Sequence, residues 1–384
     1  MENILKDAQK IYDEMVLNRR HLHANPEIGS NLSQTTAFVM QKLTEIGLAP
    51  KEIVQSGIVA TVGKGEKTIL IRADMDALPA KETTDLPFKS TNEYGHLCGH
   101  DIHTATLLGV AKLLKEREGE LKGTVKLMFQ PAEEIAQGAK AMIEAGVLEN
   151  VDAAIALHVW PDLLPGQFGL KKGIASSALY GFMAEIQGKG GHGSAPHLAI
   201  DPLTIVNTIA TMLNQLVGKE IDPLEPVVLT IGKCGGGDVA NVIPDTAVIE
   251  GTVRCFNEEA RAHLAARIPE IIKGLTELLR GTCTIKTGVN YCVVNDEGLC
   301  NTLIPYIEEI IGKDNLEFFK NPSSGSEDFS FLSKHIPTML VWAGAGHKGN
   351  QYFLHNPNVV LDEGVMPYGA AVLANCAINW LKSN

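Results

Sequence analysis

Short apolar runs of the kind that form buried strands alternate with helical patterns in the first third of the chain. Continuous apolar runs are typical of strands that helices cover on both faces, and their alternation with helices indicates parallel neighbours. We therefore predict an α/β domain with a mixed sheet and helices on both faces. The runs that predict its central strands are KTILIRADMDALP, TVKLMFQPAEE, VDAAIALHVW and, far downstream, PTMLVWAGAG.

A different order of elements begins at residue 177 and ends at residue 294. The patterns follow one another there as strand, helix, strand, strand, helix, strand, which is the order of a ferredoxin-like unit. Two further helical patterns, at 299–311 and 363–381, return to the first domain. We therefore predict one domain formed by residues 1–176 and 295–384, interrupted by an inserted α+β ferredoxin-like domain of residues 177–294.

Length and charge narrow the classes of partner. A chain of 384 residues is long for one compact core, which agrees with two domains. The formal net charge of −12 argues against nucleic acid and anionic membranes, because Lys and Arg largely hold such partners. We expect a small-molecule partner.

The sequence also bears on the compartment. It starts MENILKDAQKIYDEMVLNRR, without an apolar signal core, and no later stretch is apolar for long enough to span a bilayer. Its seven cysteines are irregularly spaced and form no CxxC pair, which is a poor disulfide framework. We expect a cytoplasmic protein.

Side chains that can bind metal ions accompany the ends of three predicted strands. Asp74 and Asp76 follow the first strand, Glu133 and Glu134 follow the second, and His158 ends the third. Open α/β sheets bind their ligands at the carboxyl ends of the strands. One crevice can therefore collect all of these groups.

The segment EYGHLCGHDIHTA, residues 93–105, sets a thiol beside three imidazoles. Cys98 and His100 are candidate metal ligands, and Asp101 is a candidate acceptor that orients an imidazole. His100 and His103 stand where a helical pattern begins. The alternative interpretation is a loop cysteine and a hydrogen-bonded histidine without any metal.

Two adjacent glutamates follow the second strand. In a loop or a first helical turn, adjacent side chains point in different directions, so that Glu133 and Glu134 can take different roles. One can bind a metal ion while the other acts as general base on a water molecule. The alternative is an acidic first turn of the helix that follows, stabilised by the helix dipole.

His158 and His355 each come just before a turn, where a lone histidine is more often structural. Together with Cys98, His100 and one glutamate they make a set of five ligands. Five exceed the needs of one tetrahedral zinc with an open position and suit two divalent ions that share a water. Thiolate, imidazole and carboxylate groups together allow Zn, Mn, Co or Ni.

Characteristic strings recur in order along nearly the whole chain: RRHLHANPEIG, RADMDALP, CGHDIH, FQPAEE, ALHVWP, GKGGHGSAPH, NVIPDTAVIEGTVR, SGSEDFS and LHNPN. In these strings the sequence resembles the amidohydrolases related to hippurate hydrolase and the plant indole-acetyl-amino acid hydrolases. They are a branch of the aminoacylase and carboxypeptidase G group of dinuclear metallohydrolases. The resemblance implies that the first domain is catalytic and that the inserted domain is a lid that pairs subunits in a homodimer or a dimer of dimers.

The resemblance also implies roles for individual residues. Glu133 matches the general acid/base, and Asp76 matches the aspartate that orients a metal-binding histidine. In wider relatives a carboxylate stands where this branch has its cysteine. Two divalent ions, Zn or Mn with Ni or Co as alternatives, are then expected on Cys98, His100, Glu134, His158 and His355.

Three residues of the inserted domain match positions that act on the substrate. His192 matches a histidine that reaches the scissile carbonyl, often in the neighbouring subunit's site; an exposed histidine on a Gly-rich loop is the alternative. Asn241 and Arg254 match polar groups that hold the substrate's carbonyl and free carboxylate, and a guanidinium is well shaped for a carboxylate. The alternative for Arg254 is a surface cation on a strand of the inserted domain.

The predicted function is metal-dependent hydrolysis of the amide bond of an N-acyl amino acid, which releases a carboxylic acid and a free amino acid. A dipeptidase or short-peptide carboxypeptidase on the same site is one alternative, and a non-catalytic small-molecule-binding relative is another. A third makes Cys98 a covalent nucleophile with a histidine base. It is disfavoured because His100 lies only two positions away and no oxyanion-hole motif is evident. Acetyl, benzoyl and indole-acetyl groups all stay open for the acyl side.

Overall fold

The computed structural model describes residues 4–349 and 351–383. The chain divides into two compact units. The first, the sheet unit, comprises Met1–Ala175, Val293–Pro322 and Asp328–Asn384. The second, the insert unit, comprises Ser176–Cys292 and Ser323–Glu327. The predicted borders at 177 and 294 lie close to those of the insert unit, which also takes in a short segment from far downstream.

The elements are numbered along the chain. The strands are β1 (Lys51–Val54), β2 (Gly57–Gly63), β3 (Thr68–Asp74), β4 (Thr124–Gln130), β5 (Ala153–Trp160), β6 (Phe168–Leu170), β7 (Gly173–Ile174), β8 (Ala178–Gln187), β9 (Gly191–His192), β10 (Val227–Gly235), β11 (Val242–Ile243), β12 (Thr246–Cys255), β13 (Thr282–Asn290), β14 (Val294–Asn295), β15 (Leu316–Phe318) and β16 (Thr338–Gly344). The helices are α1 (Ile4–Lys10), α2 (Tyr12–Ala24), α3 (Ser33–Glu45), α4 (His100–Glu116), α5 (Gly138–Glu144), α6 (Pro202–Glu220), α7 (Glu258–Leu278), α8 (Glu297–Ile311), α9 (Ser330–Ser333) and α10 (Val365–Ser383). Short 3-10 helices occur at Glu118–Glu120, Pro196–Leu198 and Lys313–Asn315.

The sheet unit is built on one large sheet with the strand order β1-β2-β4-β3-β5-β16-β6-β15. β3 is parallel to both β4 and β5, and β5 is parallel to β16. β1 and β2 are antiparallel to each other, as are β2 and β4. The predicted mixed sheet is confirmed, and the four apolar runs form β3, β4, β5 and β16.

Both faces of this sheet are buried. Ile69 and Ile71 of β3 pack on one face, in the core to which α4 and α10 contribute. Leu70 packs on the opposite face, with Ala139 and Met142 of α5. Successive strand side chains point to opposite faces, so a strand covered on both sides carries apolar side chains on both faces. This accounts for the consecutive apolar residues Ile69, Leu70 and Ile71 in β3.

The carboxyl ends of β3, β4 and β5 meet at one edge of the sheet. Asp74, the last residue of β3, is in register with Gln130, the last residue of β4. Arg72 is in register with Ala156, two residues before His158 in β5. Polar groups that end these strands, or follow them directly, are thereby brought together.

The insert unit has a separate four-stranded antiparallel sheet with the order β10-β12-β8-β13. Its core combines residues of these strands with the apolar sides of α6 and α7, among them Ile205, Ile209, Leu264 and Ile268. The strand and helix order is that of a ferredoxin-like unit, as predicted. β9 and β11 form a small antiparallel pair beside it.

Two further expectations concern the whole chain. The seven cysteines are free thiols, in agreement with their irregular spacing. Within residues 4–349 and 351–383, none of the helices has the length and apolar character needed to cross a bilayer.

Candidate metal centre

All five predicted ligands lie in the sheet unit, and the structure brings them together in overlapping groups. Ligand atoms of Cys98, His100 and His158 lie within 4.8 Å of one another. So do those of Cys98, Glu134 and His355. Cys98 belongs to both groups, which makes its thiol the point at which the two sets of ligands join.

The amino end of α4 fixes His100. Gly99 precedes the helix with a φ of 87°, and a Cβ at this position would lie 2.4 Å from Val159 Cγ2. Only glycine combines this left-handed conformation with such a close approach. His100 Nδ1 then donates to the Asp76 carbonyl oxygen at 2.7 Å, which leaves the Nε2 lone pair available to bind a metal ion.

Backbone hydrogen bonds also fix the other two histidines. His158 Nδ1 donates to the Val159 carbonyl oxygen at 2.8 Å, and its Nε2 lies 3.6 Å from Cys98 Sγ. His355 has a φ of 69°, and its backbone N–H donates to the Leu97 carbonyl oxygen at 2.9 Å. Its Nε2 lies 3.6 Å from a carboxylate oxygen of Glu134. A backbone carbonyl therefore orients the His158 ring, and a backbone hydrogen bond fixes the main chain that carries His355.

Two polar atoms at the centre of this set suit a cation. His100 Nε2 and Glu134 Oε1 are buried 3.8 Å apart, and neither has a hydrogen-bond partner within the described residues. Burial, opposed by His100 and reinforced by Asp76 and Asp74, raises the pKa of Glu134 to about 7. A bound divalent ion would satisfy both atoms and favour the carboxylate form.

The surroundings of the Cys98 thiol also favour a bound metal ion. Burial first, and then Glu134, raise its pKa well above the usual value. A buried thiol among carboxylates is protonated unless a cation stabilises the thiolate, and a metal ion does so directly. The donor set of thiolate, imidazole and carboxylate thus fits a metal centre.

Glu133 and Glu134 lie in the segment that precedes helix α5 and not in the first turn of that helix. α5 begins at Gly138, and its first turn carries no acidic residue. The alternative of a helix stabilised by acidic residues is therefore wrong here. The Asp76 carboxylate accepts the backbone N–H of Glu133 at 2.9 Å and that of Glu134 at 3.2 Å, so one side chain holds the backbone of both.

Glu133 lies beside the ligand set. Its carboxylate is within 4.8 Å of the ligand atoms of His100 and Glu134, and it is buried. One of its oxygens accepts the backbone N–H of Asp328 at 3.3 Å. The two glutamates have different further partners, because Glu134 lies near His355 and Glu133 accepts from Asp328.

Asp101 does not orient a ligand. Its carboxylate accepts from Arg19 Nε at 2.6 Å and from His23 Nδ1 at 2.8 Å, in a buried cluster that also contains Glu82. Asp101 lies in the first turn of α4 and does accept from an imidazole, but that imidazole belongs to His23 and not to a predicted ligand. Residue types and spacing could not show this partner, which lies far away in sequence.

The three remaining predicted residues belong to the insert unit. His192 is exposed in β9, where its Nδ1 accepts from the backbone N–H and the hydroxyl of Ser194. Asn241 is exposed next to β11, and its carbonyl oxygen accepts the Gly193 N–H at 2.8 Å. Arg254 in β12 is partly buried, donates to the Ser324 carbonyl oxygen at 3.3 Å, and has its pKa lowered by burial.

Comparison with known families shows to which family the chain belongs. The model of peptidase family M20/M25/M40 matches residues 70–379. The chain belongs to this family. The resemblance predicted from the motifs is thereby confirmed.

Several relatives and solved structures of family M20 match almost end to end. An N-acetyl-L-cysteine deacetylase of Bacillus subtilis (strain 168) is 38% identical over 376 residues, covering 95% of this chain and 88% of the relative. The IAA-amino acid hydrolase ILR1-like 4 of Arabidopsis thaliana is 38% identical over 405 residues, covering 98% and 88%. The crystal structure of Bacillus subtilis YXEP protein, described as a dinuclear metal binding peptidase of family M20, superimposes with a TM-score of 0.78 at 32% identity, covering 98% and 99%.

Proposed function

We propose that this protein hydrolyses the amide bond of N-acyl amino acids with two divalent metal ions. The observation that carries the proposal is the pair of ligand groups that share Cys98. Relatives named as a deacetylase and as an amino acid hydrolase support the reaction, and the dinuclear neighbour supports the number of ions. The expected ligands are Cys98, His100, Glu134, His158 and His355.

The ions would lower the pKa of an attacking water towards neutrality and stabilise negative charge on the amide oxygen. Glu133 accepts the proton of that water, because it lies beside the ligand set without being needed to complete it. The same carboxyl group then delivers the proton to the amide nitrogen, which must be protonated to leave. Asp76 fixes the backbone of Glu133, so the base has a defined position.

Substrate contacts come from the insert unit. Arg254 binds the free carboxylate and Asn241 the carbonyl oxygen, for which a partly buried guanidinium and an exposed amide are suitable. His192 donates to the developing oxyanion from the neighbouring subunit of a homodimer or a dimer of dimers. A small-molecule substrate agrees with the net charge of −12. The cytoplasmic location stays a prediction from the sequence.

An aromatic cluster beside the ligands bears on the acyl group. Trp160 lies two residues after His158, on the same face of β5, and Phe353 lies two residues before His355. The rings of Trp160 and Phe353 are 5.1 Å apart in an edge-to-face arrangement, and Phe353 is exposed. We expect these rings to favour apolar and aromatic acyl groups over acetyl.

A substrate panel tests the proposed function. The purified protein is loaded with Zn²⁺ or Mn²⁺ and given acetyl, benzoyl and indole-acetyl derivatives of one amino acid, beside dipeptides of the same amino acid. We expect the acyl amino acids to react with the highest kcat/KM and a chelator to abolish the activity. Preference for dipeptides would favour the peptidase alternative. Activity that survives complete metal removal would favour Cys98 as a nucleophile.

A further inference from the structure

His103 is the one imidazole of the CGHDIH string that the metal centre and the Arg19 cluster leave without a function. It lies within the first turn of α4 and is buried. Its Nε2 accepts the backbone N–H of Val159 at 2.9 Å, and its Nδ1 lies 2.6 Å from Asp74 Oδ1. A ring that accepts at Nε2 carries its proton at Nδ1, so His103 donates to Asp74. Both nitrogens are occupied, which excludes His103 as a metal ligand in this arrangement.

Asp74 is in turn held by Arg72. Both side chains are buried, and Arg72 Nη1 donates to Asp74 Oδ2 at 2.7 Å. The two carboxylate oxygens of Asp74 therefore have one partner each, His103 at Oδ1 and Arg72 at Oδ2. A buried charged group is tolerated when each of its lone pairs has a partner, and such a network then permits few geometries.

Arg72 is itself fixed on its remaining sides. Its Nε donates to Gln130 Oε1 at 2.9 Å, and its Nη2 donates to Asp328 Oδ1 at 2.9 Å. Asp328 also accepts from Gln130 Nε2 and from the Ala139 N–H. The far end of the network is therefore anchored to β4 and to the start of α5.

The near end of the network reaches the ligand His158. The residue whose N–H binds His103, Val159, follows His158 directly, and its carbonyl oxygen accepts from His158 Nδ1. The rings of His103 and His158 are also in edge-to-face contact, with centroids 4.6 Å apart. His103 thus contacts both the backbone and the ring that determine where His158 Nε2 points.

We infer that His103 is a positioning residue for the ligand His158, with Asp74 and Arg72 holding its ring. It acts on the peptide that links His158 to Val159 and does not touch the substrate. The inference rests on the proposed metal centre. Partners of this kind typically change metal affinity or activity by about 10- to 100-fold when they are removed.

Two isosteric substitutions separate the contacts of His103. In His103→Gln, the amide oxygen can take the place of Nε2 and accept the Val159 N–H. In His103→Asn, the amide nitrogen can take the place of Nδ1 and donate to Asp74, but the Val159 N–H loses its acceptor. Thr106→Val is a matched control, because Thr106 is a buried residue one turn further along α4, and its hydroxyl has no hydrogen-bond partner within the described residues.

The experiment titrates each metal-free protein with Co²⁺ and follows the thiolate-to-cobalt absorption band, and it then measures Zn²⁺ affinity by competition with a chelator. We expect His103→Asn to lower the affinity of at least one ion by about 10- to 100-fold and to shift the visible cobalt spectrum. His103→Gln should retain most of the parent affinity, and Thr106→Val all of it. Thermal unfolding of the metal-free proteins shows whether each variant is folded before the titration.

Equal affinities and spectra for the parent, His103→Asn and His103→Gln would overturn the inference. Equal losses in the Asn and Gln variants would overturn it as well, because the contact to Val159 would then be irrelevant. A parent protein that binds fewer than two ions would reject the proposed metal centre itself, and the inference with it. The two failures are distinguishable because only the last one appears in the unsubstituted protein.

Discussion

The Asp76 carboxylate accepts a hydrogen bond from the backbone N–H of Glu133 at 2.9 Å. Its other oxygen accepts the N–H of Glu134 at 3.2 Å, and its backbone carbonyl binds the ring of His100. One residue just after β3 therefore holds the proposed base and two proposed ligands. The motif resemblance assigned Asp76 to a histidine. The hydrogen bond to His100 comes from the Asp76 backbone carbonyl, and a carboxylate oxygen of Asp76 lies 3.7 Å from the same ring nitrogen.

Replacing this carboxylate should disturb both glutamates. In Asp76→Asn, one oxygen becomes an amide NH2 group that opposes a backbone N–H. We expect kcat to fall by about 10- to 100-fold, with weaker binding of one metal ion, because both glutamates lose their fixed position. Steady-state kinetics and metal analysis of the variant measure the two effects. Parent-like kcat and metal content would show that the turn keeps its shape without Asp76.

Exchanging the glutamates one at a time separates their roles. Glu133→Gln keeps the shape of the side chain and removes the proton acceptor, so we expect kcat to fall by about two to four orders of magnitude with parent metal content. Glu134→Gln removes a charged ligand and should lower metal content instead. Metal analysis by mass spectrometry beside kinetics decides between them. The opposite pattern would mean that the two assignments are reversed.

A pH-dependent contribution to stability comes from Glu82. Burial alone would raise its pKa, but hydrogen bonds from His23, the Ser90 N–H and Thr84 lower it to about 2 from the ordinary 4.5. A lowered folded-state pKa contributes stability that is complete above about pH 4.5 and is lost as the pH falls towards 2. Glu82→Gln should therefore be less stable than the parent at pH 6.

Urea unfolding of the metal-free proteins at several pH values measures this effect. The difference in unfolding free energy between the parent and Glu82→Gln should shrink as the pH is lowered from about 4.5 towards 2. Glu93→Gln is the control, because Glu93 is exposed and pairs only with exposed Lys81 among the described residues. Such surface pairs contribute little. A difference in unfolding free energy that stays constant with pH would show that the Glu82 carboxylate does not stabilise the folded protein in this way.

The proposed role of His192 across a subunit interface can be tested by mixing two inactive variants. His192→Ala and Glu133→Ala are combined under conditions that let subunits exchange. If His192 serves the neighbouring subunit, the mixed dimer contains one site with both groups, and part of the activity returns. Neither variant alone should recover. Absence of recovery, with exchange established by mass spectrometry, would restrict His192 to its own chain or to a structural role.

The predictable part of the fold lay in strands whose surroundings are uniform. β3, β4, β5 and β16 are mostly apolar because both faces of the sheet are covered, and the polar groups of the site lie at or just after the carboxyl ends of β3, β4 and β5. Parallel strands bring such ends to one edge, so the convergence of Glu134 and His158 followed from their positions after β4 and in β5. The order of elements in the insert unit was equally predictable, because apolar residues repeat with a different spacing in its strands and in its helices.

Partner choice inside the site was not predictable in the same way. Asp101 and His103 are both near the start of α4, yet one faces Arg19 and His23 while the other faces Asp74 and Val159. Which side of the helix each faces depends on how α4 packs, and the partners lie far away in the sequence. The same holds for Asp328, whose contact with Arg72 joins residues 256 positions apart.

The most direct measurement of the central claim is an activity titration of the metal-free enzyme. Zn²⁺ or Mn²⁺ is added in known amounts, and hydrolysis of the best N-acyl amino acid is followed together with bound metal, in the parent and in Cys98→Ala. We predict that the parent reaches full activity only when two ions are bound per chain and that Cys98→Ala binds at least one of them more weakly. Full activity without metal, or unchanged binding of both ions in Cys98→Ala, would contradict a two-metal centre joined at this thiol.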